Sequence, residues 1–187
     1  LKLENKKHDL IGKVNGIGLT PSGGIVMPIE ACVYEGKGTF KITGMIGKVM
    51  EESTSVALSF IKSHVSAFNL NDYIFNLKDI HIHFLEGAQK KDGPSAGLAI
   101  TTSILSLITN KKISNNIAFT GEISLNGDIL KVGGIKEKII GAYNNNIKTV
   151  YIPASNEYDI SEIPEAIKNN MEIKLIKNFL EIYEELF

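Results

Sequence analysis

Arginine is absent: all 20 basic residues are lysines. That excludes arginine fingers and bidentate guanidinium clamps from this chain. Cysteine is nearly absent too. The single Cys32 has no partner for an intrachain disulfide, and such usage fits a reducing compartment. No charge sign dominates, because 20 basic residues meet 21 acidic ones for a formal net charge of -1. Such a chain has no broad field to draw in nucleic acid or an anionic membrane. No apolar run reaches the ~18–20 residues that cross a bilayer. The polar opening LKLENKKHDL does not read as a signal peptide. A start at Leu1 rather than Met fits a piece of a longer polypeptide. No phosphate loop of the form G-x-x-x-x-G-K-[ST] occurs, so ATP binding of the Walker kind is not expected here. CxxC and HExxH patterns are missing as well, which leaves no zinc motif.

What is present reads as one globular domain over residues 1–187. The composition is 43% hydrophobic and 22% charged, and this length buries a core without disulfides or metals. Residues 9–19 and 24–34 are rich in Ile and Val, and the turn cluster Pro21-Ser22-Gly23-Gly24 joins them as a hairpin. A short strand near 38–43 follows. Apolar residues from Ile46 to Val65 recur at helical spacing and predict a helix over 46–67. Residues 79–84 alternate as a strand. Pro94 opens a helix that runs to about 109. Strands near 117–124 and 128–132 flank the Asn126-Gly127 turn. A helix over 135–144, a buried strand over 149–153, a helical turn near 164–169, a strand near 172–176 and a terminal helix near 178–186 complete the order. Strands and helices mixed in this way predict an α+β fold of mixed sheets with packed helices.

The chemistry centres on serine. Ser95 sits in Gly93-Pro94-Ser95-Ala96-Gly97, a G-x-S-x-G pattern at the start of a helix. Free N–H groups and the dipole there favour a developing oxyanion. Serine is also common in a first helical turn, so the pattern alone decides nothing. All four histidines, His8, His64, His81 and His83, precede Ser95. That order excludes the α/β-hydrolase arrangement of serine, acid, histidine. His81 and His83 face one side of a strand. They read as a serine base, as half a metal site lacking a third ligand, or as a hydrogen-bonded structural pair. The other base is Lys138, which must be held neutral by burial to take a serine proton. Lys136 and Lys138 lie on opposite sides of a helix, so one can look inward. Thr120 and Glu122, on a strand edge between Ser95 and Lys138, are candidate orienting groups. Ser59 and Lys62 also fit S-x-x-K, but the companion elements of penicillin-binding enzymes are missing.

Longer stretches carry a resemblance. HIHFLEGAQKKDGPSAGLAI, TGEISLNGDILKVGGIKEKIIGA and IKTVYIP, with GKVNGIGLTPSGG and IEACVYEGKG upstream, resemble the proteolytic domain of the Lon ATP-dependent proteases. The resemblance covers about residue 8 to the C-terminus. It implies a serine peptidase with a Ser-Lys dyad: Ser95 from DGPSAG, and Lys138, the last lysine of GGIKEK, 43 positions later. Thr120, Glu122, Gly93, Pro94 and Asp92 are the implied supporting residues. Asp92 would cap the helix, or hold Lys138 protonated as an inhibitory gate. The family fold is an α+β superfold also seen in a ribosomal protein. The resemblance further implies a hexameric ring and an AAA+ ATPase module before Leu1 that uses ATP and Mg. This domain itself is then expected to need no cofactor and no metal. Unfolded or damaged proteins are the implied substrates, with no nucleic-acid or membrane partner. Bacterial cytoplasm is the implied location, with an organellar matrix as the other. Lys90 departs from the family pattern, which commonly has proline there. The alternative is a ring-assembly or partner-binding module that keeps the fold without proteolysis.

Overall fold

The structure is a computed structural model that describes residues 9–71, 73–85 and 93–187. Nine strands form two sheets among the described residues. They are β1 (Val14–Thr20), β2 (Gly23–Glu35), β3 (Phe40–Thr43), β4 (Lys78–Phe84), β5 (Ile117–Phe119), β6 (Glu122–Ile123), β7 (Ile129–Leu130), β8 (Thr149–Pro153) and β9 (Glu172–Ile176). Seven of them order as β3-β4-β2-β1-β5-β8-β9, and β6 pairs with β7 apart from the rest. One half of the large sheet is antiparallel around β2, which pairs with both β1 and β4. The other half runs parallel from β1 through β5 and β8 to β9.

Helices cover both faces. α1 (Lys48–Ser63), α3 (Gly97–Thr109) and α6 (Phe179–Leu186) share one core with Ile80, Ile82 and Phe84 of β4. α4 (Ile135–Asn144) and α5 (Glu165–Lys168) share a second core with Ile17, Ala118, Val150 and Ile152. A single-turn α2 (Ile74–Leu77) leads into β4. Strand β8 lies between the two cores. Tyr151 points into the first while Val150 and Ile152 point into the second, as expected of a parallel strand buried on both sides.

The hairpin, the long helix and the strand–helix order match the sequence pattern, with four differences, the first being the unforeseen single turn α2. α1 ends at Ser63, where His64 closes the helix through a bond from its N–H to the Ile61 carbonyl. The expected strand over 117–124 is two strands, because the chain turns out of the large sheet at Thr120 and Gly121. A 3-10 stretch over Ala154–Glu162, not foreseen from the pattern, follows β8.

Candidate active site

Ser95 is held by the turn that starts α3. Gly93 sits at φ 144, in the left-handed region that favours glycine. Pro94 then opens a 3-10 turn, Pro94–Ala96, that runs straight into α3. The turn is closed by a bond from Gly97 N–H to the Pro94 carbonyl. Ser95 lies in the first turn, where backbone N–H groups have no partner inside the helix itself. Ser95 itself is half-buried and Pro94 is exposed.

Gly121 ties this turn to the end of β5. Its N–H donates to the Ser95 carbonyl at 2.9 Å, and its own carbonyl accepts from Leu98 N–H at 3.0 Å. Space is tight on the other side, where a Cβ at Gly97 would meet Ile123 Cγ2 at 3.0 Å. These contacts explain why the strand breaks at Thr120. Backbone groups that would continue the sheet are spent on the Ser95 turn. Thr120 N–H stays with the sheet, donating to the Tyr151 carbonyl at 3.1 Å.

Lys138 reaches the same place from the other face of the sheet. Gly134, at φ 69, caps α4, and Lys138 N–H donates to its carbonyl at 2.9 Å. Ile135 and Ile139 turn into the core while Lys136 stays exposed, so Lys138 is drawn inward and is 3% exposed. Its Nζ donates to Thr120 Oγ1 at 3.1 Å, and Thr120 is fully buried. Lys138 has no ion-pair partner among the described residues. Burial alone lowers its pKa from 10.5 to about 8. At pH 7 roughly one amine in ten is then neutral, against about one in three thousand for an ordinary lysine.

The Thr120–Gly121 corner thus holds both the Ser95 turn, through the Ser95 carbonyl, and the Lys138 amine. Glu122 follows on β6, half-buried and paired with Leu130. Asp92 lies outside the described residues. Gly121 was not singled out in the sequence, where a glycine at a strand break looks like any turn glycine. Asn156 was missed as well. It is fully buried and holds the segment leading into α4, accepting from Val132 N–H at 3.0 Å and donating to the Val132 carbonyl at 2.8 Å. Its amide also donates to Asp159 Oδ2 at 2.7 Å.

The histidine pair has a different place. β4 sends Ile80, Ile82 and Phe84 into the core beneath α3, so His81 and His83 point to the opposite face of the sheet. Thr43 Oγ1 lies 2.8 Å from His81 Nε2 and 2.7 Å from His83 Nδ1. Burial, then Lys41 and His83, lower the His81 pKa. Among the described residues neither ring bonds to Ser95, Thr120 or Lys138. No group of three or more His, Cys, Asp or Glu suited to a metal ion occurs among them either.

Comparison with known proteins bears on the whole chain. Residues 2–187 match the profile of the Lon protease (S16) C-terminal proteolytic domain. The chain is 44% identical over 178 residues to a Lon protease of Mycoplasma pneumoniae, covering 95% of this chain and 22% of that protein. It is 46% identical over 166 residues to a Lon protease of Neorickettsia sennetsu, covering 89% of this chain and 20% of that protein. With a Lon protease of the Aster yellows witches'-broom phytoplasma the identity is 42% over 187 residues, which is 24% of that protein. The chain therefore spans less than a quarter of the length of these bacterial relatives. Because the profile match spans residues 2–187, the chain belongs to the Lon protease C-terminal proteolytic domain family.

Proposed function

We propose that this chain is an endopeptidase domain that cleaves unfolded polypeptides with a Ser95–Lys138 dyad. One observation carries the reading: a buried lysine amine without a counter-ion among the described residues, hydrogen-bonded to Thr120, whose neighbour Gly121 holds the Ser95 turn. A lysine in that setting reaches its neutral form near physiological pH and can act as a base.

In this reading Ser95 Oγ attacks the scissile carbonyl carbon while its proton passes to the Lys138 amine. The amides of the Ser95 turn receive the oxyanion. Collapse expels the amine of the departing chain, which takes the proton back from Lys138 and leaves an acyl-serine. Water then attacks the ester, giving a proton to Lys138, which passes it to the departing Ser95 Oγ, so that the serine hydroxyl and neutral amine are restored and a new carboxyl terminus is released. Thr120 fixes the amine throughout. The substrate lies extended beside β2. Over Gly23–Met27 no described strand pairs with the edge of β2 opposite β1, and an open edge accepts an added strand. Asp92 serves as a gate in this reading, because a carboxylate beside Lys138 would hold it protonated.

In this reading the domain works within a longer polypeptide, coupled to an AAA+ ATPase module in a hexameric ring in the bacterial cytoplasm; bacterial relatives more than four times as long support it. The module uses ATP and Mg to unfold the substrates. The test is peptide-bond cleavage of an unfolded protein by the wild type and by Ser95→Ala, Lys138→Ala and Lys138→Arg. All three substitutions should abolish turnover, the last because a guanidinium stays charged. Activity near wild type in Lys138→Arg would refute the lysine base.

A further inference from the structure

Two glycines outside the reacting groups meet directly beneath Lys138. Gly24 is on β2 and Gly141 is on α4, three residues after Lys138 and so on the same helix face. A Cβ at Gly24 would lie 2.2 Å from the Glu137 carbonyl oxygen and 2.7 Å from Lys138 Cα. A Cβ at Gly141 would lie 2.2 Å from the Gly24 carbonyl oxygen. Each glycine faces bare backbone of the other element, and backbone cannot rotate aside as a side chain can. Neither glycine has a positive φ, so the contact and not the chain conformation requires it. Gly141 makes the point most sharply. Glycine inside a helix costs about 1 kcal/mol relative to alanine, yet alanine does not fit here.

We propose that Gly24 and Gly141 are positioning residues for Lys138. Their backbone-to-backbone contact fixes the base at one height above β2, the strand whose open edge receives the substrate. Base and substrate strand then form one rigid unit, and the 3.1 Å bond from Lys138 to Thr120 is made only at that height. A methyl group at either glycine would push α4 off β2 by roughly 1 Å to restore ordinary contact distances. That displacement exceeds what the hydrogen bond tolerates, and a misplacement of this size costs on the order of 100-fold in rate. The inference rests on the reading of Lys138 as base.

The experiment follows acylation of Ser95 by a peptide acylating probe between pH 6 and pH 10, in wild type, Gly24→Ala, Gly141→Ala, Lys138→Ala and Ile182→Ala. Ile182 belongs to α6, on the other face of the sheet, and serves as a control for general destabilisation. Both glycine variants should acylate 10- to 100-fold more slowly. The midpoint of their pH dependence should move upward from about 8 as the amine becomes hydrated. Ile182→Ala should lose melting temperature and keep the wild-type midpoint. Folded glycine variants with wild-type rate and midpoint would overturn the inference while the base reading stands. Equal acylation in Lys138→Ala would instead overturn the base reading, and the inference with it. If neither glycine variant folds, amide exchange of the wild type decides. The Lys138 and Gly141 amides should exchange as slowly as those of β2 bonded to β1. Exchange in α4 more than 10-fold faster than in β2 would show that the contact does not hold the two together.

Discussion

Lys138 bears an energetic burden that can be measured apart from catalysis. Its folded pKa of about 8 lies below the ordinary 10.5. Below pH 8 the amine is charged in the folded and unfolded chain alike, and the fold carries the desolvation cost, on the order of 3 kcal/mol. Between pH 8 and 10.5 the folded chain has released the proton and the unfolded chain still holds it, so rising pH favours folding. Lys138→Met should therefore be inactive and melt higher than wild type at pH 7, with the gap closing as pH rises through that window. A gap that does not change with pH in calorimetry would contradict this. Thr120 is next in line. Thr120→Val should slow turnover roughly 10- to 100-fold by freeing the amine, while Thr120→Ser, which keeps the oxygen, should stay near wild type. Single residues were unevenly legible in the sequence. Ser95 and Lys138 stand in distinctive strings, and Thr120 lies in one of them. Gly24 reads as half of a hairpin turn, because nothing local shows that α4 will lie on it.

At the scale of elements, the segment leading into α4 hangs on one amide side chain. Asn156 satisfies both backbone groups of Val132 from the far side of β8. Asn156→Ala leaves these buried groups without partners, and should cost about 2–4 kcal/mol in chemical denaturation. A loss under 1 kcal/mol would show that water replaces the amide. Elements with a strong period were legible: the apolar stripe of α1, the alternation of β4 and the apolar run of β8. The break between β5 and β6 was not, because the apolar run Ile117–Phe119 passes through Thr120 to Ile123 with no proline to end it. What breaks it is a tertiary demand, the pairing of Gly121 with Ser95 and Leu98. The 3-10 stretch Ala154–Glu162 is set likewise by a buried Asn156 whose role appears only once α4 is in place.

The whole molecule is a sheet with a core on each face, and the site lies where the two meet. Ser95 comes from the α3 side, Lys138 from the α4 side, and Thr120 from the end of a strand between them. Lys138 is buried there against Thr120, with no ion-pair partner among the described residues. This arrangement also ties the proposed activity to the integrity of the sheet. The chain alone should cleave an unfolded protein and leave the same protein intact when folded, as gel analysis of both forms would show. Cleavage of the folded form at an equal rate would argue against dependence on a separate unfolding module. The measurement closest to the central claim is covalent labelling with a serine-directed acylating peptide, mapped by mass spectrometry across pH. The account predicts an adduct on Ser95 with a half-maximal rate near pH 8, lost in Lys138→Ala. An adduct on another residue, or equal labelling of Ser95 without Lys138, would contradict it.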